Sequence, residues 1–332
     1  MPNKNNLLDV PGLKVGHATD VENGTGCTAI IFEKMSPAGV NVCGFATGTR
    51  EIEVCKPEHS TAGVSALCLA GGSCFGLAAA DGVLRFCEEK GIGFQFGPIV
   101  VPIVPSAIVF DLLYKSSAVR PDKEMGYQAC LNARTDVMEQ GSVGAGTGVC
   151  VGQVFAMASA MKSGLGSASI VSGDGLVVGA IAVVNNLGDV LDYRTGAILA
   201  GARDPKTGQF LNSTRFFASM NRGFEFTPPR NTNLGVICTN AKLDKTGACK
   251  LARMAEAGFA RTLSPFHSTF DGDIIFAVST GEAQSEINRL GVLAAEVLAR
   301  AVNNAVLDAD GLGVVPSLKD LKPDLVRSRK EN

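Results

Sequence analysis

Residues 228–239 read Pro-Pro-Arg-Asn-Thr-Asn-Leu-Gly-Val-Ile-Cys-Thr: a proline pair, an Asn-Thr junction, then an apolar run. Upstream, residues 201–231 have little periodicity and many Gly, Pro, Asn and Arg residues, which reads as a long irregular connection. Thr232 opens a strand directly at its end. Loops of that length are uncommon and often functional or mobile, a plain linker being the competing reading.

Working outward from this junction, residues 28–32, 40–45, 168–184, 233–239 and 273–279 are rich in Val and Ile and read as strands. Residues 73–89, 154–161, 249–262 and 282–308 read as helices. In the last, Ile287, Leu290, Ala294, Val297 and Ala301 recur at three- and four-residue steps, one buried stripe. Gly76, Ala78, Ala79 and Ala80 make the first helix small enough to pack closely on a sheet. Strands that are apolar without interruption need cover on both faces, so the pattern implies two sheets between helical layers.

Composition narrows the function. The 332 residues are 46% hydrophobic and 19% charged with 39 glycines, a well-buried globular chain. A net charge of −2 and the absence of Trp argue against a nucleic-acid partner. The N-terminal stretch lacks a signal-peptide core, and no apolar run approaches membrane-spanning length, so a cytoplasmic protein with no membrane partner is expected. The valine-rich residues 97–110, broken by Pro102 and Pro105, read as buried strand and turn. Ten cysteines form no CxxC pair and sit among small apolar residues, as buried thiols do. His17, His59 and His267 lie at no metal-ligand spacing, so no metal and no cofactor is expected.

Several motifs fall short. Gly71-Gly72-Ser73-Cys74-Phe75-Gly76 misses GxSxG by one place, and the glycine-rich residues 141–152 lack phosphate-loop spacing. No histidine stands out as a triad base. Thr232 offers another route. Were the Asn231–Thr232 bond cut, the new α-amine would lie within reach of its own hydroxyl, and an α-amine titrates at about 7.7–8.0. One residue would then supply nucleophile and base. Downstream, Phe270-Asp271-Gly272-Asp273 sets two carboxylates two residues apart before an apolar strand, on one side if extended. Such a pair could orient the threonine, hold its ammonium form or share a proton, although DGD also suits an ordinary turn.

The chain resembles the family of L-aminopeptidase/D-Ala-esterase/amidases, β-aminopeptidases and nylon-oligomer hydrolases (DmpA type, peptidase family S58). The likeness runs in order through Pro11-Gly12-Leu13-Lys14-Val15-Gly16-His17-Ala18, Gly48-Thr49-Arg50-Glu51, Val101-Pro102-Ile103-Val104-Pro105, Phe110-Asp111-Leu112, Gly144-Ala145-Gly146-Thr147-Gly148, Val184-Asn185, Asn231-Thr232 and Phe270-Asp271-Gly272-Asp273. It implies a four-layer α/β/β/α sandwich, N-terminal-nucleophile-hydrolase-like with its own connectivity. It implies one domain over residues 1–332 that cuts itself between Asn231 and Thr232 into chains 1–231 and 232–332, assembled as a homo-oligomer, a tetramer of such heterodimers. By position the resemblance makes Thr232 the nucleophile and Asn185 an oxyanion donor, and places Asp271, Asp273, Tyr127 and Lys162 at the site. Asp111 is the candidate to grip a substrate ammonium, because an aminopeptidase needs a negative group there. Asn233, Ile274 and Ser163 depart from the family's usual residues. The implied activity is an aminopeptidase or amidase acting on small amides or short peptides with a free amine. An acetylornithine-type acyltransferase, an ω-amino oligoamide endohydrolase and an uncleaved non-enzymatic relative are the alternatives.

Overall fold

The structure, a computed structural model, describes residues 4–220 and 231–331. Two five-stranded sheets carry the fold. The first runs β1 (Leu13–Asp20), β2 (Thr25–Ser36), β5 (Val64–Ala70), β8 (Ser106–Ile108), β4 (Thr49–Arg50). The second runs β11 (Leu165–Val171), β12 (Val177–Val183), β15 (Leu234–Ala241), β17 (Ile274–Ala283), β3 (Ala38–Val42). Shorter ladders join β13 (Asp189–Leu191) to β14 (Ile198–Ala200) and β16 (Leu263–Ser264), β9 (Cys150–Val151) to β10 (Met161–Lys162), and β6 (Phe94–Phe96) to β7 (Ile99–Val101).

Side chains alternate between the faces of a strand, and here both faces are apolar. Ile30 and Phe32 of β2, Leu67 and Leu69 of β5, Ile181 of β12, Leu234 and Val236 of β15 and Phe276 of β17 meet in a layer between the sheets. Fully burying each such side chain is worth about 1.5–3 kcal/mol, so this middle layer holds the two sheets together. The opposite faces carry small residues beside Ile31, Ile237 and Ile275. Ala29, Ala66 and Cys68 face α1 (Ala79–Glu89) and α2 (Lys123–Leu131), and Ala180, Ala182 and Ala277 face α4 (Lys245–Thr262) and α5 (Ile287–Leu307). Gly39 of β3 lies so close to the α4 backbone at Ala248 and Cys249 that any side chain would collide with it. The result is helix, sheet, sheet, helix, the four-layer order expected. Three further helices among the described residues are α3 (Ser213–Ser219), α6 (Leu318–Leu321) and α7 (Pro323–Glu331).

Length and composition would let α5 cross a membrane, but 72% of its most apolar window is buried against the second sheet and α4. Eight of the ten cysteines are buried, all ten are free thiols, and only Cys74 is exposed.

Three expectations change. Residues 168–184 are two strands, since the turn at Ser172, Asp174 and Gly175 folds β11 back on β12. Residues 154–161 are not an α-helix. Two short 3-10 turns meet at Ala156, whose φ of 76° no α-helix accommodates, and the segment ends in β10. Within residues 97–110, β7 is not buried: Ile99 and Val101 are exposed with their hairpin partners Phe94 and Phe96. The irregular connection holds as far as Met220 except for α3, and its residues 221–230 lie outside the described residues.

Candidate active site

β15 and β17 are parallel neighbours, in register from Leu234 opposite Ile274. Beyond their first residues the pairing continues, with an isolated bridge between Asn231 and Asp271. Thr232 therefore sits opposite Gly272, and Asn233 opposite Asp273. On the other side of β15, β12 ends at Val183 opposite Leu234, which brings Asn185 to the same sheet edge. Three strand ends thus converge, and an apolar register sets the polar geometry.

The scissile position predicted from sequence is buried. Asn231 has no exposure and Thr232 is 3% exposed. The Thr232 hydroxyl donates to the Asn231 carbonyl oxygen at 2.6 Å, and the Gly272 N–H donates to the same oxygen at 2.9 Å. The Thr232 N–H donates to the Asn185 carbonyl at 3.1 Å. A Cβ on Gly272 would stand 2.8 Å from the Thr232 hydroxyl oxygen, so glycine leaves room for the nucleophile there. The segment after β3 closes the far side: Cys43 and Gly44 donate to the Asp273 carbonyl, Phe45 and Ala46 to the Asp271 carbonyl.

Asn185 is held from every side. Its Oδ1 accepts from the Cys150 N–H at 3.1 Å and from Gln153 Nε2 at 3.3 Å, and its Nδ2 donates to the Phe110 carbonyl at 2.9 Å. The second proton of Nδ2 remains for a ligand. Its backbone N–H donates to Asn233 Oδ1, and Asn233 Nδ2 donates to Asn186 and Asp273.

Asp271 and Asp273 lie on one face, as the spacing implied. By strand alternation this is the face of Asn231 and Asn233, whereas the Thr232 side chain points to the other. Asp273 Oδ1 accepts from both the backbone and side-chain nitrogens of Asn233 at 2.8 Å, and Asp271 Oδ2 accepts from the Ser268 hydroxyl. Among the described residues, Asp273 Oδ2, Asp271 Oδ1 and both polar atoms of the Asn231 amide have no hydrogen-bond partner at normal distance, although the Leu187 backbone N–H favours the charged form of the Asp271 carboxyl. Burial pushes both carboxyl groups up, and the Asp271 carboxylate pushes Asp273 further, because two adjacent negative charges resist forming together. The pair therefore holds a proton to higher pH than separate carboxyls and can present one proton and one charge together.

Two expected residues support this centre from beneath. Lys162 is fully buried, and its ammonium donates to the carbonyls of Gly146, Val149 and Ser163. Burial pulls it down to about 8. It clamps the turn before Cys150, whose N–H orients Asn185, so it acts through that turn. Asp111 is engaged in contacts of its own. Its carboxylate faces inward, accepting from Thr25 Oγ1 and the Gly72 N–H at 2.7 Å each, and it is 4% exposed. It ties two turns together. Burial raises it to about 6.

Tyr127 also falls elsewhere. Gly126, Ala129 and Cys130 take the buried face of α2, leaving Tyr127 on the α1 seam. Its hydroxyl donates to Glu89 at 2.6 Å and Arg85 lies 3.9 Å over its ring. The tyrosine beside Lys162 is Tyr114, whose ring lies 5.5 Å from the ammonium. Sequence reading also missed Gln153, Asn186 and Ser268. Only the Asn185-Asn186 doublet and the serine three places before Asp271 signalled any of them.

The described hydrogen bonds of the histidines lead away from Thr232: His17 pairs with Thr28, His59 accepts from Thr61, and His267 pairs with Glu256. Among the described residues no group of His, Cys, Asp or Glu is placed to hold a metal ion. The geometry supplies a hydroxyl at a polarised carbonyl, an amide donor beside it and a proton-sharing acid pair one strand away.

The model of peptidase family S58 matches residues 5–316. An uncharacterized aminopeptidase of Mycobacterium tuberculosis is 37% identical over 96% of this chain and 98% of its own. A 6-aminohexanoate-oligomer endohydrolase of a Kocuria species is 30% identical over 90% of this chain and 85% of its own. Among solved structures, a Burkholderia β-aminopeptidase superposes with a TM-score of 0.72 at 22% identity, covering 99% of this chain and 95% of that one. The L-aminopeptidase D-Ala-esterase/amidase of Ochrobactrum anthropi, a variant of the N-terminal-nucleophile hydrolase fold, gives 0.73 at 17%, covering 98% and 94%.

Proposed function

The chain belongs to peptidase family S58 and is a hydrolase of the aminopeptidase type, and from that premise we propose that it cuts itself before Thr232 and then uses Thr232 to hydrolyse small amides or peptides with a free amine. The observation that carries this reading is the Thr232 hydroxyl on the Asn231 carbonyl, with the Gly272 N–H on the same oxygen. Processing begins when Oγ1 bonds to the Asn231 carbonyl carbon. Charge develops on the oxygen that Gly272 already holds, as in an oxyanion hole. The C–N bond breaks, the hydroxyl proton ends on the departing nitrogen, and an ester joins Asn231 to Thr232. Water then hydrolyses the ester, freeing the Asn231 carboxylate and a Thr232 that carries its own α-amine.

Turnover repeats the chemistry on a substrate. The α-amine takes the hydroxyl proton, Oγ1 attacks, Asn185 Nδ2 and the Gly272 N–H steady the oxyanion, and the proton passes to the leaving amine. Asp271 and Asp273 set the charge around that amine. Thr232→Ala is expected to give one uncut 34.4 kDa chain with no amide hydrolysis, whereas Thr232→Ser keeps the hydroxyl and still processes. Normal processing of the alanine variant would remove the reading. A second reading, cleavage within ω-amino oligoamides, is favoured by the 6-aminohexanoate-oligomer endohydrolase relatives. Oligomers capped at the amine separate the two, since an endohydrolase cuts them.

A further inference from the structure

The acid pair faces α4, since Ile275 and Ala277 follow Asp273 on one side of β17 and pack in the layer beneath that helix. There β3 runs antiparallel to β17, with Val42 opposite Ile274 and Asn41 opposite Ile275. The Cys43 N–H continues the pairing onto the Asp273 carbonyl at 2.9 Å, so the two side chains stand opposite each other on the same face. Asn41, two places back, shares that face. Its Nδ2 donates to Cys43 Sγ at 3.2 Å and to Glu256 Oε2 of α4 at 2.6 Å. The other Glu256 oxygen, Oε1, meets His267 Nε2 at 2.5 Å. Burial first, then Glu256 and Asp273, push the Cys43 thiol far up, so it stays uncharged between the two acids. Glu256 in turn adds negative charge near Asp273. The Glu256 side chain is 25% exposed and could turn out into water, yet Asn41 and His267 hold it inward. His267 adopts a left-handed backbone with φ 62° to do so, a conformation that is costly for a residue with a side chain. Ser268, the next residue, holds Asp271 through its hydroxyl. One segment thus reaches both ends of the acid cluster.

We propose that Glu256, held by Asn41 and His267, is a positioning residue that keeps a proton on the Asp271–Asp273 pair. The titratable groups around Asp273 are Asp271 at its own strand end, Cys43 on β3 and Glu256 on α4, with His267 behind Glu256. Among the described residues no Lys or Arg forms an ion pair with any of the three acids. A third carboxylate makes a second charge on the pair costlier, so the last proton leaves at higher pH than it would without Glu256. The role rests on the reading of the pair as part of the reacting site.

That proton can be read without turnover. The infrared band of a protonated carboxyl that Asp273→Asn removes belongs to the pair, and its loss can be followed in the purified full chain as pH rises. Glu256→Gln takes away the charge and keeps the shape, so the midpoint of that loss is expected to fall by about half a pH unit or more. His267→Ala frees Glu256 to turn outward and should lower the midpoint too, whereas His267→Gln, whose amide can donate, should restore it. In hydrolysis of alaninamide the alkaline limb of kcat/KM should move down with the band in Glu256→Gln. A midpoint that stays or rises in Glu256→Gln overturns the proposal; if that variant does not fold, an unmoved midpoint in His267→Ala overturns it. An alkaline limb that stays while the band moves also overturns it, because the proton would then play no part in turnover. A midpoint that falls in a chain that remains whole at 34.4 kDa and hydrolyses nothing supports the hold of Glu256 on the pair and overturns the self-processing reading instead.

Discussion

Two buried polar clusters lie on either side of Asn185, and they are finished to different degrees. Beneath it, Lys162 has three carbonyl acceptors, Asp111 has two donors, and the Tyr114 hydroxyl donates to the Gly311 carbonyl at 2.8 Å. Above it, Asn231, Asp271 and Asp273 together leave four polar atoms without a hydrogen-bond partner among the described residues. Leaving a buried polar group unpaired costs about 1–3 kcal/mol, so four such atoms gathered in one place ask for a use. The satisfied cluster holds shape; the unsatisfied one is open for chemistry. Charge alone does not tell them apart, since both contain ionisable groups shifted by burial.

The sharpest way to break that contrast is to neutralise one group in each cluster. Asp273→Asn keeps an acceptor for Asn233 and removes the repulsion from Asp271. It is expected to lower kcat about 10²–10⁴-fold, the usual worth of an acid-base group, with thermal stability unchanged or raised. A variant that loses stability but keeps activity would place Asp273 among the structural groups.

Lys162→Met should do the reverse in kind. Three carbonyls lose their donor while the cost of burying a charge disappears, for a net loss of about 2–4 kcal/mol in denaturant unfolding. The sign with pH is fixed. Lys162 is held down near 8, below its unfolded value of 10.5, so the unfolded chain binds more protons between those values. Wild-type stability therefore gains from this group as pH rises through that window, and the methionine variant should lose that slope. A variant with unchanged stability would mean that the three contacts are dispensable.

Tyr127→Phe gives the smallest effect. Removing one exposed hydroxyl from Glu89 should move stability by less than about 0.5 kcal/mol and activity by less than about twofold. A tenfold loss of activity would return Tyr127 to the site.

The layers and the junction were legible because they rest on periodicity. Strands apolar on both faces announced a covered sheet pair, and a threonine between an irregular segment and such a strand stood out where histidine was scarce. What failed was partnering. The apolar run through residues 168–184 hides a turn because both arms of the hairpin are buried, although Asp174-Gly175 marked it. Asp111 looked like a ligand-binding acid because sequence shows a charge but not that Thr25 and Gly72 occupy it. Asn231 was read only as the residue before the cut. That its amide lies unpartnered beside two acids depends on the register of β15 with β17, which no local pattern encodes.

One determination bears on all of this: the intact masses and N-terminal sequence of the purified, active wild-type protein. The expected result is two fragments, 1–231 and 232–332, the smaller beginning Thr-Asn-Leu-Gly-Val. Active material consisting of a single 34.4 kDa chain would contradict it, because the threonine would then have no free amine to take its proton.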